Sequence, residues 1–360
     1  MLNRSYNKFF PLPDFLSKPS FGLDISDESI KFIEILQTHK GLHIGKYGEK
    51  KFPAGIIGSG KIIDSKRLKD ILLELKKVEG MNSARVSLPE EQVYLFKLKI
   101  PREKSINIRE AIELSLEEYV PIPPADIIFD YELFSEDDQN FEVQVSAVPK
   151  QIIEGYISVF KDCNLDAPSF ELEAQAGARS IVKDGDNDTY MIVDFGNDRT
   201  GLSVVSNGMV VFTSTLDIGG ILLTRLIEKN FKVSFAEAEA MKLKYGLSRN
   251  TGSQDIFSAL LNGVSILRDE ISKNFIYWHT HKDENGKDRP AIKKIILCGG
   301  DANLIGLVEY LSITMHQNIE LANVWTNVVS SDKYIPIMVF EESLSYATAV
   351  GLALADFVDE

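Results

Sequence analysis

Short apolar-rich runs alternate with polar breaks along the first half of the chain. Residues 21–25 and 31–36 read as two strands joined by the polar turn Ser26-Asp27-Glu28-Ser29, a hairpin pattern. A third strand is expected at 42–51. Between 65 and 78 the spacing changes: Leu68, Ile71, Leu72 and Leu75 recur at helical intervals with charges between them. Strands follow at 84–88 and 92–100, the second carrying Val93, Leu95, Lys97 and Lys99 on one side. A helix is expected over 105–119, with Ile108, Ile112, Leu116 and Tyr119 roughly along one stripe. It stops at Val120-Pro121-Ile122-Pro123-Pro124, because proline cannot continue the helical hydrogen bonds. Residues 127–133 and 141–149 read as paired strands, with the polar stretch 135–140 as their solvated tip. A helix at 150–163, a strand at 167–171 and a helix at 173–182 complete this half.

The charged, glycine-containing stretch 183–189 is the best lobe boundary. Strands are then expected at 190–195, 201–206 and 209–216, the last two joined by Asn207-Gly208. That dipeptide between apolar runs signals a tight hairpin, since both residues tolerate positive φ. Helices at 221–229, 235–245 and 256–276 follow, then a polar loop at 279–289. A strand at 292–297, a helix at 304–311 and an alanine-rich helix at 345–356 close the chain.

Each half thus opens with an aspartate-bearing strand and a polar turn. Phe21-Gly22-Leu23-Asp24-Ile25 corresponds to Ile192-Val193-Asp194-Phe195-Gly196, a weak internal repeat of an α/β unit. The length of 360 residues fits two lobes at about 100–200 residues per domain. Thirty-nine basic and 53 acidic residues give a net charge of −14, which argues against a dedicated nucleic-acid binder. Cys163 and Cys298 are the only cysteines, so a thiolate zinc site is excluded and both read as buried thiols of a reducing compartment. No apolar run approaches the roughly 20 residues that span a bilayer. Residues 1–20 mix Arg4, Lys8 and Lys18 with Phe9, Phe10 and Phe15, the composition of a weak membrane-surface anchor or of a tail packed on its own domain. The expectation is a cytoplasmic chain.

An aspartate at a strand end beside a tight turn can position hydrated Mg²⁺ against nucleotide phosphates, and the turn's amides can cradle the phosphates. The second turn, Asp194-Phe195-Gly196-Asn197-Asp198-Arg199-Thr200, is the better phosphate loop: Gly196 permits close approach, and Asn197 and Thr200 supply donors. Either turn alone would pass for an ordinary β-turn. Both at equivalent points of two halves favour a site. Gly299 and Gly300 end the strand at 292–297 and would let backbone approach a flat ligand.

These two turns, the Gly-Gly strand end and the Ala349-Val350-Gly351-Leu352-Ala353 helix resemble the actin-like ATPase superfamily. Within it, the chain is similar to the PilM family of type IV pilus assembly proteins over nearly all of residues 21–356. The most specific resemblance is Ile100-Pro101, then Glu118-Tyr119-Val120-Pro121-Ile122-Pro123, then Asp130-Tyr131, which match that family's inserted subdomain. Ile218-Gly219-Gly220, the helix at 236–242 and Leu172-Glu173-Ala174 also fit. The resemblance implies an α/β, actin-like (duplicated ribonuclease H-like) fold of two lobes with a small α/β insertion. The tail would be 1–20. The first lobe would be 21–185, with an insertion at 86–149, completed by a C-terminal helix at 344–360. The second lobe would be 186–343, with a helical subdomain at about 225–290.

The resemblance also assigns roles. Asp24 and Asp194 would position Mg²⁺ through water. Ser26, Lys31, Gly196, Asn197, Thr200 and Gly220 would surround the phosphates of ATP. Glu239 and Lys242 would reach the ribose or base edge, Gly299 and Gly300 would line the adenosine pocket, and Glu173 would orient an attacking water. Glu239 and Lys242 also fit an exposed helix pair. The implied function is a nucleotide-binding scaffold, at most a weak ATPase, peripheral at the inner face of the cytoplasmic membrane. Its partner would be the short cytoplasmic tail of a PilN-like inner-membrane protein, with self-association as a further property. Val93, Leu95, Ile112, Leu116 and Tyr119 are the candidate peptide-binding residues, a strand edge beside an apolar helix face. Their alternative is the insertion's own core.

One departure matters. Ser26-Asp27-Glu28 stands where the family has glycine followed by small hydroxyl residues, so negative charge is added beside a polyphosphate site. The alternatives are an FtsA-like membrane-associated cytoskeletal ATPase, a degenerate actin-like protein without nucleotide, and a sugar kinase. The first expects a C-terminal amphipathic helix, and Leu354-Ala355-Asp356-Phe357-Val358-Asp359-Glu360 offers none. The last expects a sugar pocket and base, for which no signature stands. His279-x-His281 lacks a third metal ligand at a telling spacing, His39 and His43 have no partner motif, and no Walker A, Gly-x-Ser-x-Gly or His-Glu-x-x-His occurs.

Overall fold

The computed structural model describes residues 20–38, 41–102, 107–248, 254–283, 286–328 and 336–357. The basic, aromatic tail and the last three residues lie outside that set. In the first lobe, β1 (Phe21–Ile25) pairs antiparallel with β2 (Ser29–Thr38), which pairs with β3 (Gly41–Lys51). A two-residue pair, β4 (Ile57–Gly58) and β5 (Lys61–Ile62), precedes α1 (Ser65–Glu79), which starts on the Asp64 side chain and ends at left-handed Gly80. The chain returns as β6 (Ala84–Leu88), parallel to β1.

The insertion departs here. A single 3₁₀ turn at Glu90–Gln92 leads into β7 (Tyr94–Pro101), then α2 (Ile108–Tyr119), β8 (Ile127–Glu136) and β9 (Asn140–Pro149). β9 lies between the other two strands in an antiparallel sheet. Because β6 runs to Leu88 within the first lobe's sheet, the small sheet begins at Tyr94, later than position 86. α3 (Lys150–Asp162), β10 (Phe170–Leu172) and α4 (Glu173–Ile181) follow. The first lobe's sheet has the order β10-β6-β1-β2-β3. One face carries α1 and α3, whose Leu68, Leu72, Tyr156 and Phe160 are fully buried.

The second lobe repeats that sheet. β11 (Thr189–Phe195), β12 (Thr200–Ser206) and β13 (Met209–Leu216) form the meander, turning at Asn207-Gly208 with both residues at positive φ. Three helices follow: α5 (Gly220–Phe231), α6 (Phe235–Tyr245) and α7 (Gln254–Thr280). β14 (Lys294–Cys298) pairs parallel to β11, α8 (Leu307–Met315) intervenes, and β15 (Ile319–Leu321) extends the sheet. The order β13-β12-β11-β14-β15 mirrors that of the first lobe strand for strand. α9 (Phe340–Ser343), a 3₁₀ turn and α10 (Ala347–Leu354) close the described chain. Boundaries differ from the sequence expectation where a backbone signal is local. α7 runs through His279 into what reads as loop, and α8 starts only after left-handed Gly306.

The lobes exchange helices. α4 leaves the first lobe and packs against β12 and β13, whereas α10 leaves the second and packs against β1 and β2. The two helices cross with no side chain between them: a Cβ on Gly351 would fall 1.6 Å from the Ala176 carbonyl oxygen. A Cβ on Gly22 would likewise meet the Ala349 carbonyl at 1.9 Å. One continuous core therefore joins Ile33 and Ile35 of the first sheet to the strands of the second through Ala178, Ile181 and Val350. The insertion has its own core on one face, where Ile112 and Leu116 meet Val143, Val145 and Ala147. Its other face touches the second lobe: the Gln144 Nε2 donates to the Val210 carbonyl on β13.

The helix crossing generates a test. Gly351→Ala is expected to cost about 3 kcal/mol and lower the melting temperature by several degrees, because backbone on both sides must shift. Gly177→Ala, in α4 on the other side of the crossing but with nothing within 4 Å of its added Cβ, is expected to leave stability unchanged or raise it by up to about 1 kcal/mol. Thermal unfolding of the two variants checks the contrast.

Candidate functional site

The C-terminal ends of β1, β6, β11 and β14 open on one cleft of about 690 Å³ between the lobes. Asp24 and Asp194 are each the penultimate residue of equivalent strands and line opposite walls. Asp24 accepts from the Ser87 hydroxyl at 2.9 Å, and that hydroxyl accepts from the Ile25 N–H at 3.0 Å. Glu173 opens α4, and Glu90 accepts from the Ala174 N–H on the first turn of the same helix. Among the described residues, eleven acidic side chains line the cleft against three basic ones, Lys31, Lys51 and Arg199.

This excess has an electrostatic signature. Burial raises Asp24, although Lys31 and the Ser87 hydroxyl oppose the rise. Burial first, and the Asp24 charge second, push Asp194 up to about 6. Burial and the Asp194 charge push Glu90 up to about 8. Glu173 lies well above the ordinary carboxylate range, through burial and then the Asp24 charge. Four carboxylates gathered in low dielectric resist ionisation unless positive charge arrives. A divalent cation would supply it, and the oxygen-only donor set would suit Mg²⁺. Among the described residues no three such groups converge closely enough to ligate an ion directly. The fit is to an ion held through its water shell.

The phosphate turns have distinct structures. Ser26 N–H and hydroxyl both donate to the Ser29 carbonyl, at 2.9 and 3.1 Å, closing the first turn on itself. Asp27 does not project freely at a ligand. It accepts from the Ser59 and Gly60 N–H groups at 3.0 and 3.2 Å. Glu28 faces the cleft and is raised by burial and by Asp198. Lys31 lies opposite Asp24 in the β1–β2 register and pairs with Glu49 at 3.6 Å. In the second turn, Gly196 donates to the Arg199 carbonyl at 3.0 Å, and Gly196 and Asn197 face the cleft.

Several residues singled out by sequence stand behind the walls. Thr200 is buried and its hydroxyl donates to the Ile218 carbonyl at 2.6 Å. Lys242 is 1% exposed; its ammonium donates to Asp301 at 2.6 Å and to the Gly220 carbonyl at 3.4 Å, and pairs with Glu239 at 3.0 Å. It therefore anchors the wall, whereas Glu239 lines it. Gly220 has no side chain because Asp301 occupies that space, 2.0 Å from where a Cβ would lie. Gly299 has positive φ, and its Cβ would fall 2.4 Å from Asp194 Oδ1, so glycine here seats the aspartate as well as shaping the cleft. Gly300 lines the cleft beside it.

The peptide candidates divide. Ile112 and Leu116 are 0% and 1% exposed in the insertion's core, which corrects their assignment to a peptide surface: the helix stripe is covered by its own sheet. Val93 and Leu95 are half-buried, Leu95 against the second lobe's core. Tyr119 is exposed on one side and stacks on Phe96 with ring centroids 4.4 Å apart. His281 stacks on Tyr277, and His279 lies tilted against Phe275, in their own helix region.

Glu90, Glu91, Ser87 and Asp301 were not singled out by sequence. The available signal was positional: residues following a strand parallel to β1 sit at the same sheet end as Asp24, where α/β sheets bind ligands.

The fold has known counterparts. A solved PilM–PilN type IV pilus biogenesis complex aligns with a TM-score of 0.78 at 20% identity, covering 95% of this chain and 99% of that one. MreB5 of Spiroplasma citri bound to ADP aligns with a TM-score of 0.56 at 13% identity, covering 94% and 95%. These likenesses show the actin-like fold. The cell division protein FtsA of Enterococcus hirae is 25% identical over 209 residues, 52% of this chain and 47% of that protein. FtsA of Neisseria meningitidis serogroup B is 22% identical over 166 residues, 41% and 40%. The chain spans less than half the length of these curated relatives, and such distant matches do not favour the FtsA alternative. Among the described residues no helix is long and apolar enough to cross a membrane. The profile of the family described as "Type IV pilus assembly protein PilM" matches residues 22–357, and the chain belongs to that family.

Proposed function

We propose that this chain is a nucleotide-binding scaffold of type IV pilus assembly, or of a related secretion or competence system. It takes ATP with Mg²⁺ between its lobes and captures the short cytoplasmic tail of a PilN-like inner-membrane protein. The observation that carries the nucleotide half is the pairing of Asp24 and Asp194 at equivalent strand ends across one cleft. MreB5 bound to ADP, a neighbour in fold, supports it. The solved complex of PilM with PilN supports the partner half.

When bound, Mg²⁺ neutralises phosphate charge. Asp24 and Asp194 are the residues that would hold it through its water shell. Gly196 and Asn197 offer the second turn's backbone and side chain to the phosphates. Ile221, Phe235 and Leu243 form the apolar end of the cleft beside Glu239, a wall for the base. Glu173, whose ionisation is opposed by burial and by the Asp24 charge, would serve as a water-orienting carboxylate once positive charge is present. Turnover is slow, and nucleotide chiefly fixes the angle between lobes. The tail docks where the insertion borders the first lobe, near Val93 and Tyr119. The competing reading is a cleft that has lost nucleotide, favoured by the eleven-to-three excess of acids.

Calorimetry separates the two. The unaltered chain is expected to bind ATP only with Mg²⁺ present, and Asp194→Ala to abolish that binding. Unchanged affinity in the variant counts against the assignment. For the partner, the PilN-like tail immobilised on beads should retain the unaltered chain and lose Tyr119→Ala by tenfold or more. Equal retention removes Tyr119 from the docking surface.

The raised carboxylates also set a pH dependence. Asp194 and Glu90 bind protons in the folded state up to about pH 6 and 8, whereas in the unfolded chain they release them near pH 4. The folded state then holds more protons, so stability falls as pH rises from about 4 to 8. Glu90→Gln is expected to gain on the order of 2–4 kcal/mol at pH 8 and almost nothing at pH 4. Urea unfolding across that range is the measurement, and a pH-independent difference would contradict the cause given.

A further inference from the structure

Arg199 sits on the second lobe's phosphate turn, yet its guanidinium is spent on the first lobe. Nη1 pairs with Glu91, and Nη2 lies 3.9 Å from Asp27. The side chain is 21% exposed, so the contact is enclosed enough to matter. The other two cations of the cleft, Lys31 and Lys51, both lie 3.6 Å from Glu49. Among the described residues, Arg199 is thus the one cleft cation that links the lobes.

Glu91 belongs to the 3₁₀ turn Glu90–Gln92 that leads into β7. On the same turn, the Gln92 side chain donates to the Ser59 carbonyl at 2.8 Å, while Asp27 accepts from the Ser59 N–H. Gly60, next in line, has positive φ, and its Cβ would fall 1.9 Å from Pro89. The second phosphate turn, the first phosphate turn and the lead-in to the insertion are therefore one connected polar strip, with Arg199 at its centre.

A planar guanidinium binds phosphate oxygens in the same forked geometry that it offers a carboxylate. A polyphosphate lying between the two turns competes with Glu91 for it. Building on the nucleotide reading above, we propose that Arg199 is a further phosphate-binding residue, that Glu91 is its competing internal anion, and that a nucleoside triphosphate takes Arg199 from Glu91 and so loosens the lead-in to the insertion. Asp27, fastened to two backbone amides, stays in place during the exchange. The nucleotide state of the cleft thereby reaches the insertion through one residue.

The two partners must respond with opposite signs, which a folding defect would not produce. With fluorescent ATP and Mg²⁺, Glu91→Gln is expected to lower Kd by threefold to tenfold and Arg199→Gln to raise it tenfold or more. Fluorescent AMP, lacking the outer phosphates, should shift by less than twofold in either variant. The second readout is amide hydrogen exchange of residues 90–101. In the unaltered chain, saturating Mg-ATP should accelerate exchange there. In Glu91→Gln the exchange should already be fast and indifferent to nucleotide. Shifts of the same sign in both variants, or an unchanged exchange pattern while ATP binds, overturn the proposal. Failure of the unaltered chain to bind any nucleotide overturns the nucleotide reading first and this proposal with it, so the two failures are distinguishable.

Discussion

The backbone contact between Gly351 and Ala176 governs the geometry of everything in the cleft. α4 and α10 each leave one lobe to pack on the other, and they touch where neither offers a side chain. The separation of the two sheets is therefore set by backbone thickness, which does not adjust the way a rotamer does. Asp24 stands on β1, which α10 packs against, and Asp194 on β11, the neighbour of β12, on which α4 packs. Widening the crossing by a methyl group would move both carboxylates apart. The same crossing merges the cores of the lobes, so the cleft is held open from behind by hydrophobic packing that owes nothing to charge.

That support explains how so acidic a site can persist. Desolvated carboxylates close to one another oppose folding, and here they are gathered at the ends of four strands. The compensation is spatially separate. Beneath the cleft lie fully buried Leu23, Ile33, Val193 and Leu297, and behind it the alanine-rich α10. Stability is supplied where ligand does not reach, and electrostatic tension is kept where a cation and polyphosphate would relieve it. Lys242 shows the same division: it is locked beneath the wall by Asp301 and Glu239, so the wall stays rigid while the cleft surface stays acidic.

Much of this was legible in the sequence, and the reasons are specific. Asp24 and Asp194 were found because each follows a short apolar run and precedes turn residues, and because the two occupy matching places in two halves. Asn207-Gly208 announced its hairpin through backbone chemistry alone. The proline turn after Tyr119 ended α2 within one residue of the expected place. What was not legible depends on contacts between distant segments. Glu90 and Glu91 follow a strand with no motif of their own and gain meaning only beside α4 and Arg199. Helical spacing placed Ile112 and Leu116 on an apolar stripe, but cannot say which sheet covers that stripe. Lys242 read as a residue reaching the ribose or base edge, or else as one half of a surface pair, because nothing local reveals that Asp301 arrives from 59 residues away. β15 is three residues long, too short to carry a periodic signal.

The insertion's seat on β13 has a consequence for the solubility of the chain. β13 is the outermost strand of the second lobe's sheet, and such a strand exposes hydrogen-bonding groups that can template pairing with another chain. Gln144 occupies one of its carbonyls, and β7 lies alongside. The small sheet thus acts as a guard on a sticky border, independent of any peptide it receives. A relative that shortened this insertion would have to blunt β13 by other means, with a charge, a proline or a bulge, or else assemble edge to edge.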